Sequence, residues 1–289
     1  MNKGKWIGEV NERIGAIIQF RLKKIIYEDK SKYYHIVVAD TEPLGRMLLF
    51  KEGKDYTIQS AQYYDFYDEM LAHVPMASHP NPRRVLIIGG GDGIVLREIL
   101  KYETIEEVVL VEIEPAVVEI SKKYLQLDWG ALSDPRVSII YGDAARYVMN
   151  IDREFDVIIG DYSDPYQDLP AGSLVQERFY QNANKLLSSN GILAVQSGSP
   201  IFQKDIMLRI YKNASKFFEL VKIYWAPVIY YPGGIWSFVV ATKGIDPSVP
   251  RRIMHNAAYY SPEIHKMAFI LPPFIRDLVE KDETERIDG

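Results

Sequence analysis

The sequence, 289 residues long, contains no cysteine. Disulfide bonds, thiolate metal sites and thiol nucleophiles are therefore excluded, and this composition fits a reducing cytoplasm. Long apolar runs are missing as well, because no segment approaches the roughly 18 consecutive apolar residues that a membrane-spanning helix needs. The first ten residues, Met1 to Val10, carry charges and no apolar signal core. We therefore expect a cytoplasmic protein without a membrane partner.

The chain also lacks an excess of positive charge. Its formal net charge is −5 and its pI is about 5.7. A nucleic-acid partner is disfavoured, because proteins that bind the phosphate backbone usually carry clustered basic residues. A mildly acidic chain permits a cationic small substrate, although this charge is also common among proteins in general.

The pattern of apolar residues changes near residue 60. Residues 1–60 contain short alternating runs broken by polar segments such as Asp29-Lys30-Ser31, and we predict an N-terminal β-strand domain there. Residues 61–289 contain strands of nearly continuous Val, Ile and Leu that alternate with amphipathic helices, which indicates a parallel sheet covered on both faces. The predicted strands are Arg84–Ile88, Val108–Glu112, Val137–Tyr141, Phe155–Gly160 and Ile192–Gln196, and the predicted helices include Val95–Lys101, Pro115–Tyr124 and Glu177–Leu187.

Two later apolar runs complete the expected sheet. They flank Tyr231-Pro232-Gly233-Gly234 and resemble the closing antiparallel hairpin of a Rossmann-like transferase. The predicted fold class is thus α/β, with a Rossmann-like, seven-stranded methyltransferase-type sheet as the catalytic domain of residues 61–289, preceded by the small antiparallel β domain.

A glycine-rich turn and three acids mark the strand ends of this predicted sheet. Gly89 and Gly91 belong to a Gly-Gly-Gly-Asp-Gly turn that lets the backbone approach a ligand at the end of a strand. Asp92 within the turn would repel a pyrophosphate. Glu112 and Asp143 end the next two strands, where they can accept hydrogen bonds from ribose hydroxyls and an adenine amine. The glycine turn and the three acids together predict a site for a nucleoside without phosphates. Glu112 alone is also typical of a solvated strand end.

The negative charge of Asp92 favours one of two kinds of adenosyl donor over the other. The intact S-adenosylmethionine ends in a carboxylate that Asp92 would disfavour, whereas the decarboxylated form ends in an ammonium that it would attract. Asp92 can equally cap the following helix. Asp161 and Asp164 follow a later strand in Asp-Tyr-Ser-Asp-Pro and can hold a cation, or can be ordinary capping and turn residues.

Several long segments, in order, resemble the spermidine synthase family of polyamine aminopropyltransferases, with features of thermospermine and long-chain polyamine synthases. The resemblance spans nearly the whole chain. It is carried by Tyr67-Asp68-Glu69-Met70-Leu71-Ala72-His73-Val74-Pro75, His79-Pro80-Asn81-Pro82-Arg83-Arg84 into the glycine turn, Leu110-Val111-Glu112-Ile113-Glu114, Gly142-Asp143-Ala144, Asp161 to Pro165, Gln196-Ser197-Gly198-Ser199-Pro200 and Tyr231-Pro232-Gly233-Gly234-Ile235-Trp236.

The resemblance implies a direct displacement. An acceptor amine attacks the aminopropyl group of decarboxylated S-adenosylmethionine, which is a co-substrate, and methylthioadenosine is released without a metal or another cofactor. Asp161 would take or orient the amine proton with help from Tyr67 and Tyr231, and Asp164 would hold a distal ammonium. Gln59 matches a donor-side glutamine and Gln196 an acceptor-side one. The family also implies a homodimer or homotetramer.

The same residues have simpler interpretations. Gln59 and Gln196 can be hydrogen-bonding strand residues, and Tyr67 and Tyr231 can be core aromatics in a chain with 20 tyrosines. The competing functions are an S-adenosylmethionine-dependent methyltransferase on the same fold and a noncatalytic polyamine-binding protein, because this type of sheet supports many activities.

The sequence departs from the family pattern at positions expected to bind the acceptor amine. Asp68 stands where the family usually has His or Gln, a longer segment containing Asp168 follows Pro165, and Gly198 replaces a usual Glu. We expect Asp68 and Asp168, with the space left at Gly198, to admit putrescine or a longer polycation such as spermidine. Both acids can instead be solvated loop charges.

Overall fold

A computed structural model describes residues 5–52, 55–166 and 169–287. The chain forms two sheets in sequence. The first is antiparallel, has the strand order β1-β2-β3-β4-β5, and is built by strands β1 (Trp6–Asn11), β2 (Ala16–Lys30), β3 (His35–Thr41), β4 (Gly45–Glu52) and β5 (Asp55–Ala61). The break predicted at Asp29-Lys30-Ser31 is wrong in position, because β2 pairs with β3 through Lys30.

The edges of the first sheet approach each other. Glu9 on β1 accepts a hydrogen bond from the backbone N–H of Ile58 on β5 at 3.3 Å, although the two strands do not share a ladder. The sheet therefore curls, and its concave side faces the second sheet through the buried side chains of Val37, Met47 and Ile58.

The second sheet has seven strands in the order β11-β12-β10-β9-β6-β7-β8. These are β6 (Arg84–Gly89), β7 (Glu107–Glu112), β8 (Val137–Tyr141), β9 (Phe155–Asp161), β10 (Leu187–Gln196), β11 (Leu220–Pro227) and β12 (Ile235–Thr242). The pairs from β8 to β10 are parallel, and β12 pairs antiparallel with β10 and β11. The predicted fold class is confirmed.

The order in which successive parallel strands are added to this sheet reverses at β6. Strands β7 and β8 lie on one side of β6, while β9 returns to the other side, so the carboxyl ends of β6 and β9 flank a topological switch point. The ladder between them pairs Gly89 with Asp161. This register brings the glycine turn beside the first acid of Asp-Tyr-Ser-Asp-Pro.

Eight α-helices connect and cover the strands in the described parts of the chain. They are α1 (Phe66–Ser78), α2 (Ile94–Ile99), α3 (Pro115–Ile120), α4 (Ala144–Asn150), α5 (Glu177–Leu186), α6 (Lys204–Ala214), α7 (Pro262–Ala268) and α8 (Pro273–Ile287). Two predicted helix ends shift: α2 stops two residues before Lys101, and the helix predicted to Tyr124 becomes a π-helical turn over Ser121–Leu125.

The core crosses from one sheet to the other. One cluster of buried side chains contains Ile7 and Val37 of the first sheet, Met70 of α1, and Val85 and Ile87 of β6. Helix α1 is buried along nearly its whole length, which fits its position between the layers. The division into two domains at residue 60 stays a prediction, because this shared core gives no separate apolar interior to each part.

Candidate active site

A cavity of about 380 Å³ lies at the carboxyl ends of β6, β7 and β9. The first sheet covers it, since residues of β1, β4 and β5, together with Tyr34 just before β3, line the cavity. Of the residues singled out from the sequence, those that line it are Gln59, Tyr67, Gly89, Gly91, Asp92, Glu112, Asp143, Asp161, Asp164, Gln196 and Tyr231. Residues as far apart in the chain as Gln59 and Tyr231, 172 positions, are thus brought to one concave surface.

The glycine turn needs its glycines for two different reasons. Gly89 has a φ of +80°, and a Cβ there would lie 2.1 Å from the carbonyl oxygen of Asp161. A Cβ on Gly91 would lie 2.7 Å from Oε2 of Glu112. The turn is also fixed by a 2.7 Å hydrogen bond from the N–H of Gly90 to the Asp161 carbonyl. A side chain at either position would force apart the elements that form the cavity floor.

Glu112 is held by backbone groups of the neighbouring turns. Its Oε2 accepts from the N–H of Gly91 at 3.1 Å, and its Oε1 accepts from the N–H of Glu114 at 2.9 Å. Burial nevertheless raises the pKa of Glu112 to about 7. The fixed carboxyl is in a position to accept hydrogen bonds from a polar ligand in the cavity.

Asp92 and Asp143 combine two interpretations that the sequence left as alternatives. Oδ1 of Asp92 accepts from the N–H of Ile94 at 3.1 Å near the start of α2, and burial raises the pKa of Asp92 to about 6. Asp143 caps α4 by accepting from the N–H groups of Ala145 and Arg146, and its side chain is largely exposed. Each acid supports a helix start and also lines the cavity.

Asp161 is paired with Tyr67 across the cavity. The Tyr67 hydroxyl donates to Oδ1 of Asp161 at 2.9 Å. Burial, and then the nearby carboxylate of Asp92, raise the pKa of Asp161 well above its ordinary value. An approaching cation would stabilise the ionised form of Asp161, so this carboxyl is suited to bind an ammonium and to exchange a proton with it.

Tyr231 lines the cavity, and its hydroxyl bonds to β5. Its hydroxyl donates to the backbone oxygen of Gln59 at 2.6 Å, while its ring packs edge-on against Tyr67 and at a tilt against Trp236. The side-chain amide of Gln59 donates to Oγ1 of Thr57 at 3.0 Å. Tyr231 therefore shapes the aromatic wall and supports β5.

The structure also shows two residues around Asp164 that sequence reasoning missed, Gln203 and Glu9. Gln203 donates from Nε2 to Oδ2 of Asp164 at 2.8 Å and to the hydroxyl of Tyr166 at 3.0 Å. Glu9 lines the cavity from β1, and its pKa is raised to about 7, first by burial and also by the charge of Asp164. The pKa of Asp164 is itself raised to about 6 by burial. No local sequence pattern connects β1 with this turn.

Gln196 lines the cavity, but its side-chain hydrogen bonds are all to protein groups. Nε2 of Gln196 donates to the Tyr162 carbonyl, and Oε1 accepts from the N–H of Gly198 and from Trp236. The expectation that Gly198 leaves space for an acceptor is wrong, because a Cβ there would lie 2.6 Å from Oε1 of Gln203. The glycine accommodates the glutamine that holds Asp164.

Asp68 is not part of the cavity wall. It is only 2% exposed on the first turn of α1 and is not among the residues that line the cavity, and its expected contact with a long acceptor stays a prediction. Asp168, the other acid expected there, lies outside the described residues. One carboxylate oxygen of Asp68 nonetheless lies within 4.8 Å of oxygens of Asp92 and Asp161. Such a group attracts positive charge, whether a cation or a proton.

Comparison with known proteins identifies the family. Residues 64–252 match the spermine/spermidine synthase domain. The chain is 40% identical over 286 residues to a polyamine aminopropyltransferase of Moorella thermoacetica, covering 98% of this chain and 99% of that protein. It is 38% identical over 264 residues to the enzyme of the same name from Desulforudis audaxviator, covering 90% of this chain and 94% of that protein. The chain belongs to the spermine/spermidine synthase family.

Solved structures of this aminopropyltransferase family agree in fold. A spermidine synthase in complex with the transition-state analogue AdoDATO superposes with a TM-score of 0.89 at 33% identity, covering 96% of each chain. The spermidine synthase of Thermotoga maritima superposes with a TM-score of 0.87 at 33% identity, covering 96% of this chain and 95% of that one. The predicted family, reaction class and co-substrate, decarboxylated S-adenosylmethionine, are confirmed at the level of the family. None of the helices within the described residues has the length and apolar character needed to span a bilayer.

Proposed function

We propose that this aminopropyltransferase uses Asp161 as the proton acceptor for an amine that attacks the donor held beside the glycine turn. The observation that carries the proposal is the pairing of Gly89 with Asp161 in the β6–β9 ladder, which fixes the base next to the donor-binding turn. The hydrogen bond from Tyr67 orients the Asp161 carboxyl toward the cavity. The base and the donor are therefore positioned by one sheet.

The donor side of the cavity is assigned to decarboxylated S-adenosylmethionine. Glu112 accepts hydrogen bonds from the ribose hydroxyls, and Asp143 or the adjoining backbone contacts the adenine. Asp92 faces the aminopropyl end. A buried acid whose pKa is already raised would further disfavour a ligand carboxylate nearby, whereas an ammonium lowers the free energy of the ionised form. The same argument disfavours the intact donor of a methyltransferase.

The acceptor side is assigned to an alkylamine with two or more ammonium groups, such as putrescine or spermidine. Asp164, held by Gln203, receives an ammonium next to the reacting amine. Glu9 stands beyond it at the roof of the cavity and adds a second carboxyl for a more distant ammonium. Two carboxyls in succession favour an extended polycation over a neutral acceptor.

The reaction begins with a proton transfer. A primary amine with a pKa near that of lysine, about 10.4, requires about 4 to 5 kcal/mol to expose its lone pair at pH 7. Asp161 accepts this proton, and the amine nitrogen then attacks the methylene next to the sulfonium. The new C–N bond forms as the C–S bond breaks, and the electron pair of that bond neutralises the sulfur in methylthioadenosine. Alignment of the two bound substrates contributes several kcal/mol more.

The first sheet also supports an oligomer, which we propose to be a homodimer or homotetramer in the cytoplasm. Trp6 is 55% exposed and Ile17 is 69% exposed on neighbouring strands of that sheet. Large apolar side chains exposed on adjacent strands favour burial against a second copy. Light scattering coupled to size-exclusion chromatography of the wild type and Ile17→Lys measures the mass, and a monomeric wild type would contradict this assignment.

Product analysis tests the proposed function. Decarboxylated S-adenosylmethionine is offered with putrescine, cadaverine, agmatine, spermidine or spermine, and methylthioadenosine and the aminopropylated amine are quantified. We expect equal amounts of the two products with at least one di- or polyamine. The intact donor in place of the decarboxylated one serves as the control. Methyl transfer from the intact donor, or binding of polyamines without turnover, would favour one of the two competing functions.

A further inference from the structure

One basic residue lines a cavity whose other charged residues are acids. Seven Asp and Glu residues line the cavity, and among the described residues that line it Arg13 is the only Arg or Lys. An arginine stays protonated in proteins, so Arg13 carries a permanent positive charge. The carboxyl groups attract cationic substrates, whereas this guanidinium repels them, and its position therefore bears on which cations the cavity accepts.

Arg13 lies at the acceptor end of the cavity. It belongs to the turn that joins β1 and β2. Its Cζ lies 4.6 Å from the centroid of the Tyr166 ring, which is within the range of a cation–π contact. Tyr166 lies two residues after Asp164 and also lines the cavity. The turn of the first sheet therefore meets the segment that carries the acceptor-side acid.

A continuous series of contacts leads from Arg13 to Asp164. The Tyr166 hydroxyl, on the ring beneath Arg13, accepts a hydrogen bond from Nε2 of Gln203 at 3.0 Å. The same Nε2 donates to Oδ2 of Asp164 at 2.8 Å. Asp164 and Tyr166 are half-buried and Arg13 is exposed. The series therefore runs from the interior of the acceptor side to its outer end.

The charge of Arg13 acts on the Asp164 carboxyl. Burial raises the pKa of Asp164 to about 6, while the hydrogen bond from Gln203 and the positive charge of Arg13 act in the opposite direction. A positive charge close enough to stabilise an ionised carboxylate also repels an ammonium group placed between the two. Arg13 therefore opposes the entry of positive charge beyond Asp164.

We propose that Arg13 is a specificity-determining residue whose positive charge disfavours acceptors with a third ammonium group. This role rests on the proposed function of the cavity. An acceptor with two amino groups places one at Asp161 and the other at Asp164. A third group extends past Asp164 toward Tyr166 and Arg13, where the guanidinium repels it. Glu9 attracts the same group, so Glu9 and Arg13 together set how well spermidine competes with putrescine.

A purely structural role for Arg13 predicts a different result. If Arg13 only held Tyr166 in place, its replacement would weaken the binding of every acceptor to the same extent. If its charge selects the acceptor, its replacement should favour an amine more strongly as the number of ammonium groups increases. A comparison of amines of different charge therefore separates the two roles.

The first test measures kcat/KM for spermidine and for putrescine. We expect the spermidine-to-putrescine ratio to rise about three- to fivefold in Arg13→Gln, the effect of one exposed charge contact. Arg13→Lys keeps the charge and should keep the ratio of the wild type. Because salt screens exposed charges, the difference between Arg13→Gln and the wild type should shrink between about 0.05 M and 0.5 M salt.

Arg21 provides the matched control. It is another exposed arginine of the first sheet, and its Cζ lies 5.7 Å from the centroid of the Trp6 ring, but it does not line the cavity. Arg21→Gln therefore removes the same charge from the protein without removing it from the acceptor side. We expect this variant to keep the wild-type ratio, and a rise equal to that of Arg13→Gln would overturn the proposal.

The second test measures binding without turnover. Calorimetry in the presence of methylthioadenosine gives the Kd of putrescine, spermidine and spermine for the wild type and for Arg13→Gln. We expect the variant to gain affinity in that order of amines. Equal changes for all three amines, or no gain for spermidine and spermine relative to putrescine, would overturn the proposal. Because these constants need no reaction, an enzyme that transfers no aminopropyl group would refute the proposed function and leave the role of Arg13 to be decided by binding.

Discussion

At the scale of single residues, the site consists of carboxyl groups whose pKa values are raised mainly by burial. Asp161 is the member that combines a fixed position, a hydroxyl partner and an open side toward the cavity. Burial disfavours the ionised form of such a group, and a nearby cation favours it. In the mechanism that we propose, entry of the cationic substrates therefore favours the ionised Asp161 that accepts the proton.

Replacement of the base should separate catalysis from binding. Asp161→Asn keeps the size and the contact with Tyr67 but removes the proton acceptor, so we expect kcat to fall by about 10²- to 10⁴-fold. Binding of methylthioadenosine, measured by calorimetry, should change by less than about threefold. Near-normal turnover in this variant would show that another group takes the proton.

Substitution of Glu9 should weaken binding of the acceptor amine and leave binding of the donor unchanged. Glu9→Gln removes a carboxyl near Asp164, and loss of one charged hydrogen bond of about 1.5 kcal/mol corresponds to a KM for spermidine about tenfold higher. The KM for decarboxylated S-adenosylmethionine should stay the same. Steady-state kinetics with putrescine and spermidine measure both constants.

Glu12 provides the matched control for this substitution. It lines the outer part of the same cavity but is exposed, so solvent screens its charge, and Glu12→Gln should change the KM by about twofold or less. If Glu9→Gln raised the KM of donor and acceptor alike, a general distortion of β1 would explain the result better than an ammonium contact.

At the scale of elements, α1 connects the site to the carboxyl-terminal part of the chain. Glu69 is buried and accepts hydrogen bonds from three successive backbone N–H groups, those of Ala258, Tyr259 and Tyr260, at 2.7 to 2.9 Å. This single side chain fixes the segment before α7 onto α1. Tyr67 and Asp68, which precede it, inherit their positions from the same anchored helix.

Glu69→Gln should therefore destabilise the protein. The amide can accept only part of the three hydrogen bonds, and its own N–H groups would face other donors, at a cost of about 1 to 3 kcal/mol in the free energy of unfolding. Urea denaturation measures the change. Glu106→Gln, which removes an exposed ion pair with Arg83, should cost about 1 kcal/mol or less. Comparable losses in the two variants would argue against the anchoring role of Glu69.

At the scale of the whole molecule, buried acids should set how stability depends on pH. Burial raises the pKa of Asp92 to about 6 and of Glu112 and Glu9 to about 7, so these groups bind protons in the native state that the unfolded chain has already released. The contribution of these acids to the free energy of unfolding is fully present below about pH 4, near their pKa in the unfolded chain. It is lost as pH rises through about 7. His265 acts in the opposite direction, since burial lowers its pKa to about 4 and its stabilising effect is lost as pH falls below about 6.5.

The ligand-free protein should consequently unfold at a lower temperature at about pH 8 than at about pH 5.5, because the acids outnumber His265. Methylthioadenosine with spermidine should raise the melting temperature more at the higher pH, where the cationic amine meets ionised carboxyls. Differential scanning fluorimetry across this range checks both trends. A melting temperature that rises steadily toward pH 8 without ligands would be inconsistent with the raised pKa values.

Much of this molecule follows from the sequence by itself. Continuous apolar strands between helices determine a covered parallel sheet, and strand-end residues of such a sheet must meet at one edge, so Gly89, Glu112 and Asp161 were found from the chain alone. The tertiary structure decided which acids reach the cavity. Glu9 reaches it because the first sheet curls over the second. Gln203 holds Asp164 in the cavity wall because α6 begins beside that residue, and Asp68 stays buried on α1 next to Asp92 and Asp161. Strand ends are fixed by local pattern, whereas contacts between layers depend on packing over long distances in the chain.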